Sequence, residues 1–143
     1  MNTAQAACNY AILRFLPYPE TGEFVNVGVV VNCLRPCLFH FLVEERMPPR
    51  LKALFPHQNE TMFEAGAAAM QQEMMRVKAM IRDPKTCQFA FNEVVRPRES
   101  TFRFGEPRTI LTDDVANLAE KLFKHYVRME TLVQPEREMA TAL

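Results

Sequence analysis

The stretch that decides the fold is Phe24–Leu34, which reads F-V-N-V-G-V-V-V-N-C-L. Five of its eleven residues are valine, whose branched side chain favours extended backbone. Strict alternation along a strand gives one wholly apolar face of Val25, Val27, Val29, Val31 and Cys33. The other face is mixed and carries Phe24, Asn26, Gly28, Val30 and Asn32. We therefore predict a strand with one core face and one polar face that is free for recognition.

Two further strands are predicted beside this one. Cys8–Leu16 alternates apolar and mixed positions before a loop rich in proline, and Cys37–Glu44 follows the short turn at Leu34–Pro36. Strands joined by such short connections favour an antiparallel meander. The first three strands should therefore form one sheet in chain order.

Beyond Arg46 the apolar period changes to that of helices. Pro48–Phe55 reads as a short helix, and Thr61 with Glu64 forms a capping-box pattern at the start of a longer one. An apolar stripe then runs for about twenty residues, at the spacing of one helix face, through Phe63, Ala67, Met70, Met74, Val77 and Ile81. Packing on the sheet is favoured over a coiled coil because the stripe lasts under three heptads.

The last third alternates between short elements. Thr86–Val95 fits a strand or a short helix, with a weak preference for the helix. Short strands are predicted at Thr101–Phe104 and Arg108–Leu111, on either side of a Gly-Glu-Pro turn. Thr112 is a good N-cap for a second amphipathic helix, whose stripe is Val115, Leu118, Leu122, Tyr126, Met129 and Val133.

These elements predict an α+β fold. The expected architecture is a mostly antiparallel sheet, made of a three-strand meander plus two short strands, with two amphipathic helices packed on one face. The 143 residues are read as a single domain, residues 1–143, with flexible ends at 1–7 and 134–143.

Composition excludes several classes of protein. Hydrophobic residues make up 48% and the formal net charge is zero, which fits a globular domain and disfavours a nonspecific nucleic-acid binder. No apolar run is long enough to cross a membrane. The first seven residues do not resemble a signal peptide, so we expect a cytoplasmic protein with reduced cysteines.

No catalytic or metal-binding signature stands out. Cys33 and Cys37 have a spacing that zinc tolerates, but a second close pair is missing. A Cys8–His40 nucleophile would need a coincidence of register. We therefore expect no metal and no cofactor, and leave open whether the chain is an enzyme, with a preference against it.

The informative feature is a polar set near glycine-containing turns. The candidate ligand- or partner-binding residues are Arg14, Glu23, Asn26, Gly28, Arg96, Arg98, Arg103 and Arg108. Convergent arginines suit an anion or carboxylate receptor. The competing interpretation, which we favour slightly, is structural: Glu23, Glu99 and Glu106 would neutralise the arginines. Gly28 could equally serve only to let another element pack closely.

The motifs Y-A-I-L-R-F-L-P-Y-P-E-T-G-E-F-V-N-V-G-V-V-V, R-P-R-E-S and F-R-F-G-E-P-R-T-I-L resemble an uncharacterised bacterial family. It is a family of domains of unknown function, number 3037 in that series, and the likeness spans roughly Tyr10–Val127. The resemblance implies a small intracellular bacterial protein without an agreed activity. It also implies a partner or accessory role, because members are often encoded beside a kinase-like protein of the HipA type.

Three functional hypotheses follow. The first is a non-catalytic accessory protein of a toxin–antitoxin, defence or mobile-element system, which holds a protein partner through the polar strand face and the arginine-rich loop. The second is a small enzyme or sensor for a phosphate-bearing ligand or nucleic acid, with Glu23 or Glu99 as acid or base. The third is a phage-borne inhibitor protein. Self-association into a homo-oligomer is compatible with each.

Overall fold

A computed structural model describes residues 5–130, which form a five-stranded antiparallel sheet. The strands are β1 (Ala6–Phe15), β2 (Val25–Leu34), β3 (Cys37–Val43), β4 (Phe102–Phe104) and β5 (Arg108–Thr112). β1 lies between β2 and the two short strands, and β3 forms the edge beyond β2. The predicted meander is confirmed, and β4 and β5 pair in tandem with the two ends of β1 rather than with each other.

The helices connect β3 to β4 and follow β5. They are α1 (Pro49–Leu54), α2 (Glu60–Ala79), α3 (Pro84–Val94) and α4 (Leu118–Leu122). α4 continues without a break into a π-helical turn, Phe123–Val127, and we call the two together the C-terminal helical segment. The weak preference for a helix over Thr86–Val95 is confirmed. No helix within 5–130 has the length and apolar character needed to span a bilayer.

The α+β class is confirmed, but the placement of the helices on one face is wrong. Ala11 and Val30 pack under α2 and α3, whereas Tyr10 and Val29 pack under the C-terminal helical segment. Consecutive residues of a strand point to opposite faces, so the sheet is covered on both sides. β1 has apolar side chains on both faces, which is why both must be covered.

A β-bulge explains why the predicted faces of β2 are wrong. Leu13 pairs with Gly28 and Arg14 with Asn26, so Val27 is an extra residue that has no partner on β1. Beyond the bulge the alternation is reversed: Val25 and Val27 pack with α1 and α2, while Val29 and Val31 face the opposite helix. Asn32, predicted on the polar face, is buried and donates a hydrogen bond to the Cys87 carbonyl under α3.

Local details also differ from the sequence predictions. α2 is capped by Asn59, whose side chain accepts from the Met62 amide at 3.0 Å, and not by Thr61. Ala6 and Ala7, predicted as part of a frayed end, pair with β5. Residues 1–4 and the predicted tail 134–143 lie outside the described range, so the expectation for those ends is not addressed.

The sequence analysis predicted reduced cysteines, and this prediction is wrong for two of the four. Cys8 and Cys33 face each other across β1 and β2, with their Cα atoms 4.5 Å apart, and form a disulfide in the core. Cys37 is a free thiol at the surface, and Cys87 is a free thiol in the interior. The pattern of sequence spacing could not show this pairing because it depends on the register of the two strands.

Candidate functional site

The predicted site residues fall into two groups on opposite sides of the sheet. Arg96, Arg98 and Arg103 border an apolar depression next to α2 and α3. Arg14, Asn26 and Arg108 line a smaller polar depression on the side of the C-terminal helical segment. We call the first the groove and the second the cleft. The candidate residues therefore border two separate depressions rather than a single one.

Glu23 and Gly28 belong to neither depression. Glu23 is exposed, and its amide donates to the Thr21 hydroxyl in the loop before β2. Gly28 is buried beside the bulge, where a Cβ would lie 2.7 Å from the Leu42 carbonyl oxygen and 3.2 Å from Leu13 Cβ. Gly28 is thus inaccessible to a partner, and its role is to allow the close approach of β1 and β3.

The groove is an open depression of about 580 Å³ between α2, α3 and β4. Its apolar lining comes from all three elements: Met70, Met74, Val77, Met80, Ile81, Phe89, Ala90, Val94, Phe102 and Phe104. Two of these side chains are largely in solvent, since Met80 is 56% and Phe89 is 66% exposed. Exposed large apolar groups next to a concave apolar surface are typical of protein-binding sites.

Arginines from the loop after α3 surround the groove with positive charge. Arg98 donates to the Glu93 carbonyl and Arg103 Nε donates to the Ser100 carbonyl, at 3.0 and 2.9 Å. Both bonds end on neutral backbone oxygens, so the charge of these two guanidinium groups is not neutralised there. Arg96 pairs with Glu93 at 3.4 Å across a solvent-exposed surface.

The competing structural interpretation named the wrong carboxylates. The ion pairs formed within residues 5–130 join Arg76 to Glu73, Arg96 to Glu93, Lys121 to Asp114 and Arg128 to Glu44. None of them contains Glu23, Glu99 or Glu106. Of the candidate arginines only Arg96 forms an ion pair with a glutamate in the described part of the chain, although Arg98 lies near enough to Glu73 to help lower the pKa of that carboxyl.

The cleft is a depression of about 420 Å³ at the end of β1 where β2 begins and β4 gives way to β5. It is lined by Ile12, Arg14, Phe24, Asn26, Gly105, Glu106, Arg108 and Tyr126. Arg14 and Asn26 are register partners across β1 and β2, which brings their side chains to the same face. Tyr126 reaches the cleft from the π-helical turn.

The Asn26 amide links the cleft to the C-terminal helical segment. Its Nδ2 donates to the Tyr126 carbonyl at 3.2 Å, one of the helix-end carbonyls that lack an intrahelical partner. The Asn26 carbonyl oxygen accepts from Arg50 Nη2 at 2.8 Å. Asn26 is therefore held at both its side chain and its backbone.

Tyr126, which lines the cleft, is hydrogen-bonded to a second tyrosine in the core. The Tyr10 and Tyr126 hydroxyls are 3.0 Å apart, and Tyr10 is buried. Burial, together with this hydrogen bond, raises the pKa of Tyr10 from 10.0 to about 12, while the nearby Arg108 guanidinium acts in the opposite direction. At neutral pH the Tyr10 hydroxyl therefore stays protonated and supplies no charge to the cleft.

Titration of the phenols should reveal Tyr10 directly. The chain has three tyrosines, and we expect one phenol of the folded protein to ionise near pH 12. Because the folded-state pKa is raised, the stability due to Tyr10 is complete below pH 10 and is lost as the pH rises to about 12. Absorbance titration of wild type and Tyr10→Phe measures this; an unchanged set of pKa values in the variant would contradict it.

The described residues bear on the thiol and metal alternatives that the sequence raised. Within 5–130 no three His, Cys, Asp or Glu side chains come together in a way that could hold a metal ion. Cys8 is in the disulfide, so it is not the nucleophile that one sequence alternative paired with His40. Burial raises the pKa of the Cys87 thiol to about 11, which disfavours the reactive thiolate.

Sequence reasoning missed the residues that shape the two depressions. Gly105 and Tyr126 were read as a turn residue and a core position, although both line the cleft. Phe89 lies in the segment that fitted either a strand or a short helix, and its exposure on α3 was not predicted. For Phe89 a signal was present, since a helical reading of Pro84–Val94 separates it from the buried Cys87, Ala90 and Phe91.

Comparison with protein families matches residues 10–127 to the family described as "Protein of unknown function (DUF3037)". The matched range contains both depressions and all strands and helices of the fold, except for the first residues of β1. Neither the curated proteins nor the solved structures contain a significant match.

Proposed function

This chain belongs to the DUF3037 family, whose function is unknown, and we propose that it is a binding protein that holds a protein partner in the groove. The observation that carries the proposal is the combination of an apolar groove, two largely exposed apolar side chains and unneutralised arginines beside them. An accessory role in a toxin–antitoxin, defence or mobile-element system is the biological setting that we propose for it.

The chemistry of the groove defines the partner segment. Phe89 and Met80 offer apolar contact area, and methionine adapts to differently shaped partners. Arg98 and Arg103 add positive charge at the groove edge. By charge complementarity the partner segment should carry apolar side chains flanked by Asp or Glu. A HipA-type kinase-like protein is the first partner to test, and a phage-borne inhibitor would use the same surface on a different target.

The proposal predicts a companion protein that depends on the groove. Purification from the native host should recover a stoichiometric partner with the wild-type chain. Phe89→Ala should weaken the isolated complex by at least about tenfold, because aromatic side chains at the centre of an interface carry a large share of the binding energy. Arg98→Glu should slow association and reduce its dependence on salt. Isothermal titration and stopped-flow mixing measure the two effects.

A matched control lies on α2, at the end of the helix opposite to its C-cap residue Met80. Met62 is 74% exposed and lies about 27 Å from Met80 at 1.5 Å of rise per residue. Met62→Ala should leave the affinity unchanged, whereas Met80→Ala should lower it. Equal effects of the two substitutions would contradict the groove as the docking surface. The purified chain could also sediment as a dimer. If Phe89→Ala dissociated that dimer, the occupant of the groove would be a second copy of this chain and not a different protein.

A further inference from the structure

The cleft contains an arginine that is held in place but has no acceptor for its charge. Arg14 Cζ lies 4.2 Å from the centroid of the Phe24 ring. On another side is Gly105, where a Cβ would come within 2.9 Å of Arg14 Cζ and 3.0 Å of Nη2. None of the ion pairs formed among residues 5–130 involves Arg14. A guanidinium fixed this way is pre-organised for an anion from outside the chain.

Two buried polar atoms in the cleft have no hydrogen-bond partner among residues 5–130, and they are of opposite kinds. Arg14 Nε is a donor without an acceptor, and Asn26 Oδ1 is an acceptor without a donor. The Asn26 amide cannot exchange these roles freely, because its Nδ2 already donates to the Tyr126 carbonyl. Leaving a buried polar group unpaired lowers the stability of the folded state. Both atoms are closed to solvent, so a ligand reaches them only if the two side chains shift slightly. It must then present an acceptor oxygen, for which the guanidinium favours an anionic one, and an N–H or O–H donor.

The charged side chains around the cleft limit the net charge of the anion that it can bind. Arg14 and Arg108 contribute two positive charges, and Glu106 contributes one negative charge at the same depression. The net balance suits one negative charge better than the two charges of a phosphate ester. Glu106 is also a second acceptor that favours a donor or an ammonium group on the ligand. A volume of about 420 Å³ is enough for a small molecule or the end of a chain.

We propose that the cleft binds a carboxylate that has an N–H donor next to it, such as an α-amino acid or the free C-terminus of a peptide. The Arg14 guanidinium donates to the two carboxylate oxygens in the planar geometry that favours bidentate pairing, and Asn26 Oδ1 accepts from the neighbouring N–H. Phe24 and Ile12 supply apolar surface for the side chain. This site is independent of the groove, which lies on the other face of the sheet.

The test uses ¹H–¹⁵N NMR titration of the full chain with small probes. N-acetyl-alanine, alanine, N-acetyl-alanine amide and inorganic phosphate are added separately. We expect saturable shifts of the Asn26 side-chain amide and Arg14 Nε–H with the first two probes, and none with the neutral amide. Binding by N-acetyl-alanine but not by alanine would identify a chain terminus as the source. Binding by phosphate alone, or equal binding of the amide, would overturn the carboxylate assignment.

Variants separate a built site from a hydrated depression. Arg14→Lys removes the planar guanidinium, and Gly105→Ala displaces it. Each substitution should therefore lower the affinity for N-acetyl-alanine by about tenfold or more. Arg82→Lys, on the other face of the sheet, should bind as wild type does. An unchanged amide spectrum of the sheet in Arg14→Lys would show that the fold is retained. Absence of shifts with every probe would mean that water alone fills the cleft, and the proposal would be wrong.

Discussion

Gly28→Ala should lower the free energy of unfolding by about 3 kcal/mol, near the upper end of what overpacking a core costs. The added Cβ would lie 2.7 Å from the Leu42 carbonyl oxygen, and this atom belongs to the backbone of the neighbouring strand. A flexible side chain could move aside, but Leu42 is fixed by its pairing with Val29. Alanine would otherwise be mildly favourable, because it reduces the conformational freedom of the unfolded chain.

Urea unfolding of wild type and Gly28→Ala measures this loss. Gly22→Ala is a useful comparison, because Gly22 has a φ of +74° and no atom within 4 Å of an added Cβ. There the cost is only that of a left-handed backbone, about 1 kcal/mol. If Gly28→Ala proved as mild as Gly22→Ala, the close approach at the bulge would not be what fixes glycine at residue 28.

The bulge also shows what the sequence could and could not predict. Valine-rich composition was sufficient to place β2, and short connections were sufficient to predict its antiparallel neighbours. The faces of β2 depended on strict alternation from Val25 to Cys33. An extra residue at Val27 reverses that alternation, and whether a strand contains a bulge depends on its partner strand rather than on its own sequence.

The candidate site was predicted in composition but not in arrangement. Arg14 and Asn26 were correctly singled out by their polarity within apolar strands, and the register brings them together. Arg103 is equally a register partner of Arg14, but its side chain bonds to the Ser100 carbonyl and borders the groove. Local hydrogen bonds decide the direction of a long side chain on an edge strand, and the spacing of residues in the sequence does not specify those bonds.

The second large effect concerns a buried carboxylate that joins the sheet to the C-terminal helical segment. Glu44 is 9% exposed and accepts two hydrogen bonds from Arg128, at 2.9 and 3.0 Å. Its amide donates to the Val27 carbonyl at the bulge. Arg128→Ala would leave the carboxylate buried without its bidentate partner, while Arg50 remains near enough to interact with it. We expect a loss of about 2–3 kcal/mol, less than for a fully buried pair because Arg128 is half exposed.

A double-mutant cycle with Glu44→Gln isolates the pair from the packing of each side chain. The combined variant should lose less than the sum of the single losses, with a coupling energy of about 1–2 kcal/mol. Lys121→Ala is the matched control on the same helical segment, because the Lys121–Asp114 pair is solvent-exposed and should contribute little. Since Asn26 is held by Tyr126 and Arg50, loosening Arg128 should also broaden the Asn26 side-chain amide signal. Equal losses in Arg128→Ala and Lys121→Ala would show that Glu44 is satisfied by Arg50 or water, and that the segment is held by its apolar face alone.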